Sequence, residues 1–235
     1  MGEIYRFKSR RVRFDTNLRG ANIESYSVLG QYNASNNSAP SNFITKTTSS
    51  YSSSTEANKV FNLKLTASQQ YNGLNNTSSE TTVAYDTYNN PTQSTTFIKE
   101  GGATQQTTIR NLTYATPTIS PYVVGRTLNK TESVSISGDT KTSEEQYTYN
   151  TAGLMTQVKK KESNTNFITE DNIYDTFGNI TKKTISATGL TSRITNYEYD
   201  LSGRFLTKSI DIEGLATSYN YNTVNGLLSS ETNPY

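Results

Sequence analysis

The sequence predicts an all-β protein that is built from repeated antiparallel hairpins and has little or no helix. The main observation is a Tyr-Asp/Asn-x-x-Gly pattern that recurs from Tyr149, Tyr174, Tyr199 and Tyr221, in steps of 25, 25 and 22 residues. A fixed motif with a period in the twenties is typical of a repeat architecture. In addition, apolar and polar residues alternate along the chain, and no apolar face with the 3.6-residue period of a helix is visible.

The recurring pattern predicts a tight hairpin turn. Asp or Asn opens such a turn by accepting hydrogen bonds from the backbone two residues on. A glycine three positions later adopts the left-handed conformation that a Cβ would resist. The predicted turn residues are Tyr149, Asn150 and Gly153; Tyr174, Asp175 and Gly178; Tyr199, Asp200 and Gly203; Tyr221, Asn222 and Gly226, with one inserted residue; and a fainter copy, Tyr85 and Asp86, with Asn in the place of glycine.

The residues that flank each turn predict the two strands of a hairpin. Two residues before the motif tyrosine the chain carries Tyr147, Tyr197 and Tyr219, which lie on the same strand face as that tyrosine. The second repeat breaks this pattern with Asn172. The returning strand is expected to begin two residues after the glycine, at Met155, Ile180, Phe205 and Leu228.

The strength of the repeat predicts three regions along the chain. Residues 1–78 form a divergent β-rich segment, residues 79–146 a degenerate β segment with one faint copy of the motif, and residues 147–235 the regular repeats. The last region ends in a strand without a sequence typical of a terminal cap, which repeat arrays need for solubility. We therefore expect the chain to be a fragment of a longer protein.

Composition narrows the classes of function. The chain has no Cys and no His, which removes thiolate and imidazole metal ligands and His-dependent catalysis. A net charge of +2 does not favour a nucleic-acid partner. No apolar run approaches the roughly 18 residues of a membrane-spanning helix, and the first residues contain no apolar region of a signal peptide. We expect no catalytic residue, no cofactor and no metal.

Two further chemistries are considered from the residues. Asp211 and Glu213 are two apart, and a shared strand face would give a carboxylate pair of the kind that hydrolyses glycosidic bonds. A solvated pair beside the Gly214 turn is the expected interpretation, and it also applies to Glu144-Glu145 and Glu170-Asp171. As an alternative function, we predict an adhesive module that binds carbohydrate through exposed rows of tyrosines, with Tyr197 and Tyr219 as the candidates for stacking on glycans.

The motif and its surroundings resemble the YD repeat of Rhs-type proteins. The copy that carries the resemblance best runs from Gly189-Leu190-Thr191 through Tyr197-Glu198-Tyr199-Asp200 to Gly203-Arg204. Residues 147–235 fit the pattern well and residues 79–98 loosely, whereas the first 70 residues do not show it. The family includes bacterial polymorphic toxins, shell components of toxin complexes, and teneurins.

The resemblance implies a spiralling antiparallel sheet of YD hairpins that forms part of a hollow shell. It implies a non-catalytic structural role in a larger, secreted or surface-located bacterial protein, whose shell encloses or presents a C-terminal toxin domain. The implied partners are the remainder of that shell and the enclosed domain. The aspartates near a DPxG sequence with which family members cleave themselves are absent from this chain.

Overall fold

The computed structural model describes residues 6–7, 21–29, 43–55, 61–120, 122–162 and 165–235. All regular elements in these ranges are β-strands, so the predicted all-β class of antiparallel hairpins is confirmed. Because the described residues form no helix, they contain no helix that could cross a membrane.

The chain divides into two compact units, which are described separately. The first unit contains the described residues up to Arg126 together with Thr131–Thr142. The second unit contains Thr127–Lys130 and Ser143–Tyr235. The division falls within two strands, and the three regions predicted from the sequence stay a prediction.

The strands of the first unit follow one another as antiparallel neighbours in the order of the chain. They are β1 (Arg6–Phe7), β2 (Glu24–Leu29), β3 (Phe43–Thr55), β4 (Phe61–Asn72), β5 (Thr77–Tyr85), β6 (Pro91–Glu100) and β7 (Ala103–Tyr114). A separate short pair is formed by β8 (Thr118–Ile119) and β9 (Tyr122–Val123). Two strands contribute residues to both units, β10 (Thr127–Ile136) and β11 (Asp139–Tyr149).

The second unit repeats the same meander with shorter strands. They are β12 (Met155–Lys161), β13 (Phe167–Tyr174), β14 (Ile180–Ala187), β15 (Arg193–Tyr199), β16 (Leu206–Ile210), β17 (Ala216–Tyr221) and β18 (Leu228–Thr232). Each strand from β11 onward pairs antiparallel with the next. Consecutive strands joined by tight turns explain why short-range sequence patterns are informative here.

Apolar packing on the strands of both units is sparse. Among the described residues only Tyr26 and Asn172 are buried, at 7% and 8% exposure. Thr and Tyr suit such half-buried pleated surfaces, and cross-strand pairs supply about 0.2–1 kcal/mol each. One such pair joins the hydroxyls of Thr81 and Thr96 at 2.9 Å. Ion pairs join Lys46 to Glu24, Lys99 to Glu80, Arg110 to Glu132, Lys130 to Glu145, Lys161 to Glu144, Lys183 to Glu170, and Lys208 to Glu198.

Candidate functional site

The turn after Tyr174 shows what the recurring motif does. The Asp175 carboxylate oxygen Oδ1 accepts hydrogen bonds from the backbone N–H groups of Phe177 at 2.8 Å and Asn179 at 2.9 Å. The backbone closes the turn, because the N–H of Asp175 donates to the carbonyl of Asn179 at 2.9 Å. Gly178 has a φ of +89°, in the left-handed region that favours glycine. Two backbone N–H groups of the turn therefore occupy the Oδ1 atom of the aspartate.

The other turns of the second unit use the same contacts with either Asp or Asn. Asn150 Oδ1 accepts the N–H of Leu154 at 2.9 Å, and Asn222 Oδ1 accepts the N–H of Val224 at 2.8 Å. Asp200 Oδ1 accepts the N–H of Arg204 at 2.7 Å. Because only an acceptor oxygen is required, the amide and the carboxylate are interchangeable in this role.

The faint copy in the first unit folds into the same kind of turn without a glycine. Asp86 Oδ1 accepts the N–H groups of Tyr88 and Asn90, both at 2.8 Å. Asn89 holds the position of the glycine, with a φ of +69°. Asn tolerates this conformation better than other residues with a Cβ, so the turn survives the substitution.

Each motif tyrosine lies at a register shift next to its turn. Tyr149 pairs with Met155, Tyr174 with Ile180, Tyr199 with Leu206, and Tyr221 with Leu228. The prediction that Phe205 begins a returning strand is wrong, because β16 begins at Leu206. Arg204 adds one residue after Gly203, so the N–H of Asp200 reaches the carbonyl of Phe205 instead of the residue before it.

Successive turns of the second unit pack on one another through their glycines. A Cβ at Gly203 would lie 2.4 Å from the Phe177 ring. A Cβ at Gly226 would lie 3.3 Å from the Phe205 ring, which stacks on Tyr221 at a centroid distance of 4.8 Å. An apolar side chain of one turn thus occupies the space that the next glycine leaves open.

Two motif tyrosines of the second unit also donate hydrogen bonds to the backbone of a preceding strand. The Tyr174 hydroxyl donates to the carbonyl of Met155 at 2.6 Å, and the Tyr149 hydroxyl to that of Thr127 at 3.0 Å. Both acceptors are the first residues of their strands. A buried hydroxyl that finds a partner in this way fixes the position of its ring.

The first unit contains tyrosines of the same kind that the sequence analysis missed. The Tyr114 hydroxyl donates to the carbonyl of Pro91 at 2.7 Å, which is again the first residue of a strand. Tyr51 donates to Asn22 at 3.3 Å and lies at a register shift opposite Leu65. The carbonyl of Leu65 in turn accepts from Tyr85 at 2.8 Å. We call this series the tyrosine ladder: Tyr51, Tyr85 and Tyr114 in the first unit, and Tyr149 and Tyr174 in the second.

The turn aspartates are held in the ionised form. Hydrogen bonds from the Ser202 hydroxyl and the Phe205 backbone lower the pKa of the Asp200 carboxyl to about 2. At Asp175, partial desolvation acts to raise the pKa, but hydrogen bonds from the backbone and side chain of Asn179 outweigh it, so the pKa lies below its usual value. A general acid needs a raised pKa, so these carboxyls are unsuited to that role.

The Asp211 carboxylate is also committed to a structural contact. Asp211 and Glu213 do not share the strand face that a catalytic pair would need, because β16 ends at Ile210 and both residues lie in the turn that follows it. Asp211 Oδ1 accepts the N–H groups of Glu213 at 3.0 Å and Leu215 at 2.8 Å. Within the described ranges no group of three Asp, Glu, His or Cys residues could hold a metal.

The two candidate glycan-stacking residues lie on strands of the second unit. Tyr197 lies on β15 and Tyr219 on β17, and both are half-buried. The Tyr219 hydroxyl is 3.5 Å from the Ser209 hydroxyl. In the same row, burial and the hydrogen bond to Glu145 raise the pKa of Tyr147 to about 12. Glycan stacking by Tyr197 and Tyr219 stays a prediction.

Comparison with known proteins gives a likeness in fold. No family model and no curated protein sequence matches the chain. A solved structure described as "Crystal Structure of TcdB2-TccC3-Cdc42" is similar, with a TM-score of 0.56 and 10% sequence identity. The match covers 96% of this chain and 18% of that chain. The chain therefore has the fold of a segment of a much longer protein.

Proposed function

We propose that the chain is a structural, non-catalytic segment of a β-sheet wall in a larger YD-repeat protein of the Rhs type. The observation that carries the proposal is the packing of turn on turn, in which Phe177 lies against Gly203 and Phe205 against Gly226. An isolated hairpin is at best marginally stable in water. Contacts that join each hairpin to the next therefore favour a continuous wall over independent modules.

The proposal extends to what the wall is for. A shell of such hairpins encloses or presents a C-terminal toxin domain in a secreted or surface-located bacterial protein. The sequence resemblance to the YD repeat supports this role. The fold likeness to a segment of the TcdB2-TccC3-Cdc42 structure also supports it, since this chain spans 18% of that chain.

The non-catalytic part of the proposal is supported by how the carboxylates are used. Asp175, Asp200 and Asp211 accept backbone hydrogen bonds in their turns. Glu170 is paired with Lys183 at 3.0 Å. Stable pairs and caps leave these groups without the proton-transfer partner that acid/base catalysis requires.

Electron microscopy of the full-length product that contains this segment tests the proposal. We expect a continuous sheet of hairpins around an enclosed volume, with the C-terminal domain inside or held at its opening. A compact globule without such a sheet would contradict the wall.

A protease-protection assay on the same product tests enclosure separately. In Gly203→Val the new side chain would clash with the Phe177 ring. We therefore expect the wall to open and the C-terminal domain to be digested faster than in the wild type. Leu201→Ala is the matched control in the same turn, because the Leu201 side chain is fully exposed. Equal digestion of the two variants would count against enclosure by this segment.

A further inference from the structure

Asn172 stands where the other repeats have a tyrosine two residues before the motif tyrosine. One polar atom of its side chain has no hydrogen-bond partner within the described part of the chain. Asn172 is 8% exposed, and its Nδ2 donates to Glu170 Oε1 at 3.2 Å. Its Oδ1 has no hydrogen-bond partner among the described residues. A buried acceptor that is left unpaired is unfavourable, so native proteins normally supply a partner.

A groove lies beside this residue. Asn172 lines a space of about 640 Å³ between the turns that follow Tyr149 and Tyr174. Leu154 and Phe177 contribute apolar lining, and Asp175 lies between them. The volume falls within the roughly 300–1,000 Å³ of typical ligand sites.

The polar lining of the groove favours a ligand that donates hydrogen bonds. The Thr156 hydroxyl is used within the protein, because it donates to the carbonyl of Thr148 at 3.2 Å. The Tyr174 hydroxyl is likewise donated to Met155. Acceptor capacity remains at Asn172 Oδ1 and on Asp175 Oδ2, which has a second lone pair beside the one that accepts from Asn179 Nδ2 at 3.1 Å.

The charge of the groove favours a cation. Asp175 is the charged residue of the lining, and its pKa lies below the usual value, so it is ionised at neutral pH. The nearest lysine in register with Asn172 is Lys183, and its Nζ is committed to Glu170 at 3.0 Å. The described lining contains no cation that would neutralise Asp175.

Phe177 supplies a fixed aromatic surface in the same groove. One part of its ring lies against Gly203, where an added Cβ would be only 2.4 Å away. Nevertheless the residue is 64% exposed, so much of the ring remains open to solvent. An aromatic ring held in place and open on one side attracts cations through its electron-rich face.

We propose that this groove binds the guanidinium group of an arginine side chain from a partner protein. A guanidinium is planar, carries five donors and stacks on aromatic rings. It can stack on Phe177, donate to Asn172 Oδ1 and face the Asp175 carboxylate. An ammonium group lacks the planar stacking surface, and a neutral polar ligand makes no use of the charge. The site does not depend on the wall function.

Binding of small probes to the full chain tests the proposal. We expect N-acetyl-arginine amide to shift the NMR signals of Asn172 and Phe177 saturably, with a dissociation constant on the order of 1 mM. The isosteric neutral N-acetyl-citrulline amide should bind at least about fivefold more weakly, and the arginine affinity should fall with added salt. N-acetyl-lysine amide should also bind more weakly because it cannot stack.

Two variants assign the binding to the groove. Asn172→Tyr restores the residue type found at Tyr147 and Tyr197, so it should fold normally and lose the arginine-dependent shifts. Asp175→Asn keeps a turn of the kind formed by Asn150 and should weaken binding about threefold or more at low salt. Asp211→Asn is the matched control, because it makes the same charge change in a turn outside the groove lining and should leave binding unchanged.

Several results would overturn the assignment. Equal binding of the arginine and citrulline probes would remove the role of charge. Undiminished binding in Asn172→Tyr would place the ligand elsewhere. The absence of any saturable shift in the wild type would mean that Asn172 Oδ1 binds only ordered water.

Discussion

The hairpins of the two units share one contact, the hydrogen bond from a tyrosine hydroxyl to a backbone carbonyl, although their sequences differ. In the first unit, strands β3 to β7 are 9 to 13 residues long, whereas β12 to β18 in the second are 5 to 8. The tyrosine ladder nevertheless occurs in both, as Tyr114 bonded to Pro91 and Tyr174 bonded to Met155 show. The contrast teaches that the bond from tyrosine to the backbone is the common element, and that the Asp-x-x-Gly turn is one way to place it.

The largest expected effect comes from disrupting the packing between neighbouring turns in the second unit. Gly203→Ala should lower the free energy of unfolding by about 2–4 kcal/mol, because it adds backbone strain at φ +67° and a clash with Phe177. Gly178→Ala should cost about 1–2 kcal/mol, because its neighbour Leu154 is at an ordinary 3.6 Å and only the strain remains. Urea unfolding followed by circular dichroism measures both.

Gly189→Ala controls for strain alone. Its φ is +77° and nothing lies within 4 Å of the added Cβ, so its cost should match that of Gly178→Ala. If Gly203→Ala costs no more than Gly189→Ala, the packing between neighbouring turns does not contribute to stability.

The next effect compares the ladder in the two units directly. Tyr174→Phe and Tyr114→Phe each remove one hydroxyl bonded to a backbone carbonyl, so each should cost about 1 kcal/mol. Tyr88→Phe is the control, because Tyr88 lies in an exposed turn and is 54% exposed. A loss in Tyr174→Phe alone would confine the ladder to the second unit.

The sequence predicted the hairpins of the second unit because their signal is local. An acceptor at Asp175 and a glycine at position 178 specify a turn within five residues, and the alternation around them specifies the strands. Tyr51 and Tyr114 were missed because no turn motif follows them. Their hydroxyls bond to residues 29 and 23 positions away, and such contacts leave no short-range pattern.

Two further differences between the sequence predictions and the structure come from single residues. Arg204 lengthens one turn and moves Phe205 out of the strand and onto Tyr221, which the spacing of the glycine alone does not reveal. The substitution at Asn172 was visible in the sequence as a break in the tyrosine pattern. The groove beside it depends on how two neighbouring turns pack, so it could be found only in three dimensions.

A pH-dependent effect separates the aspartate turns from the asparagine turns. The pKa of Asp200 falls from its usual 3.8 to about 2, so the folded state binds the proton more weakly than the unfolded chain. The stabilisation by this carboxylate is therefore complete above pH 3.8 and is lost as the pH falls towards 2. Asp200→Asn should reduce the loss of stability in that window, as measured by urea midpoints at about pH 5.5 and about pH 2.5.

The reverse exchange is the control for the acid effect. Asn222→Asp should leave the turn intact at neutral pH, because Asp175 forms the same bonds to its backbone. It should also make the protein more sensitive to acid. Equal acid sensitivity of the wild type and both variants would show that the turn carboxylates do not contribute to the pH dependence.

The smallest expected effect comes from exchanging the turn residue that distinguishes the two units. Asn89→Gly should change the free energy of unfolding by less than about 0.5 kcal/mol, because relief of strain at φ +69° is offset by the greater freedom of glycine in the unfolded chain. The mirror change, Gly178→Asn, should cost about 0.5–1 kcal/mol, less than Gly178→Ala, because Asn tolerates the left-handed region better than Ala. Urea unfolding of both variants measures the exchange. A large loss in either would mean that the turn residue is adapted to its own unit. Near-neutral exchange would identify the ladder, and not the glycine, as the element that the two units share.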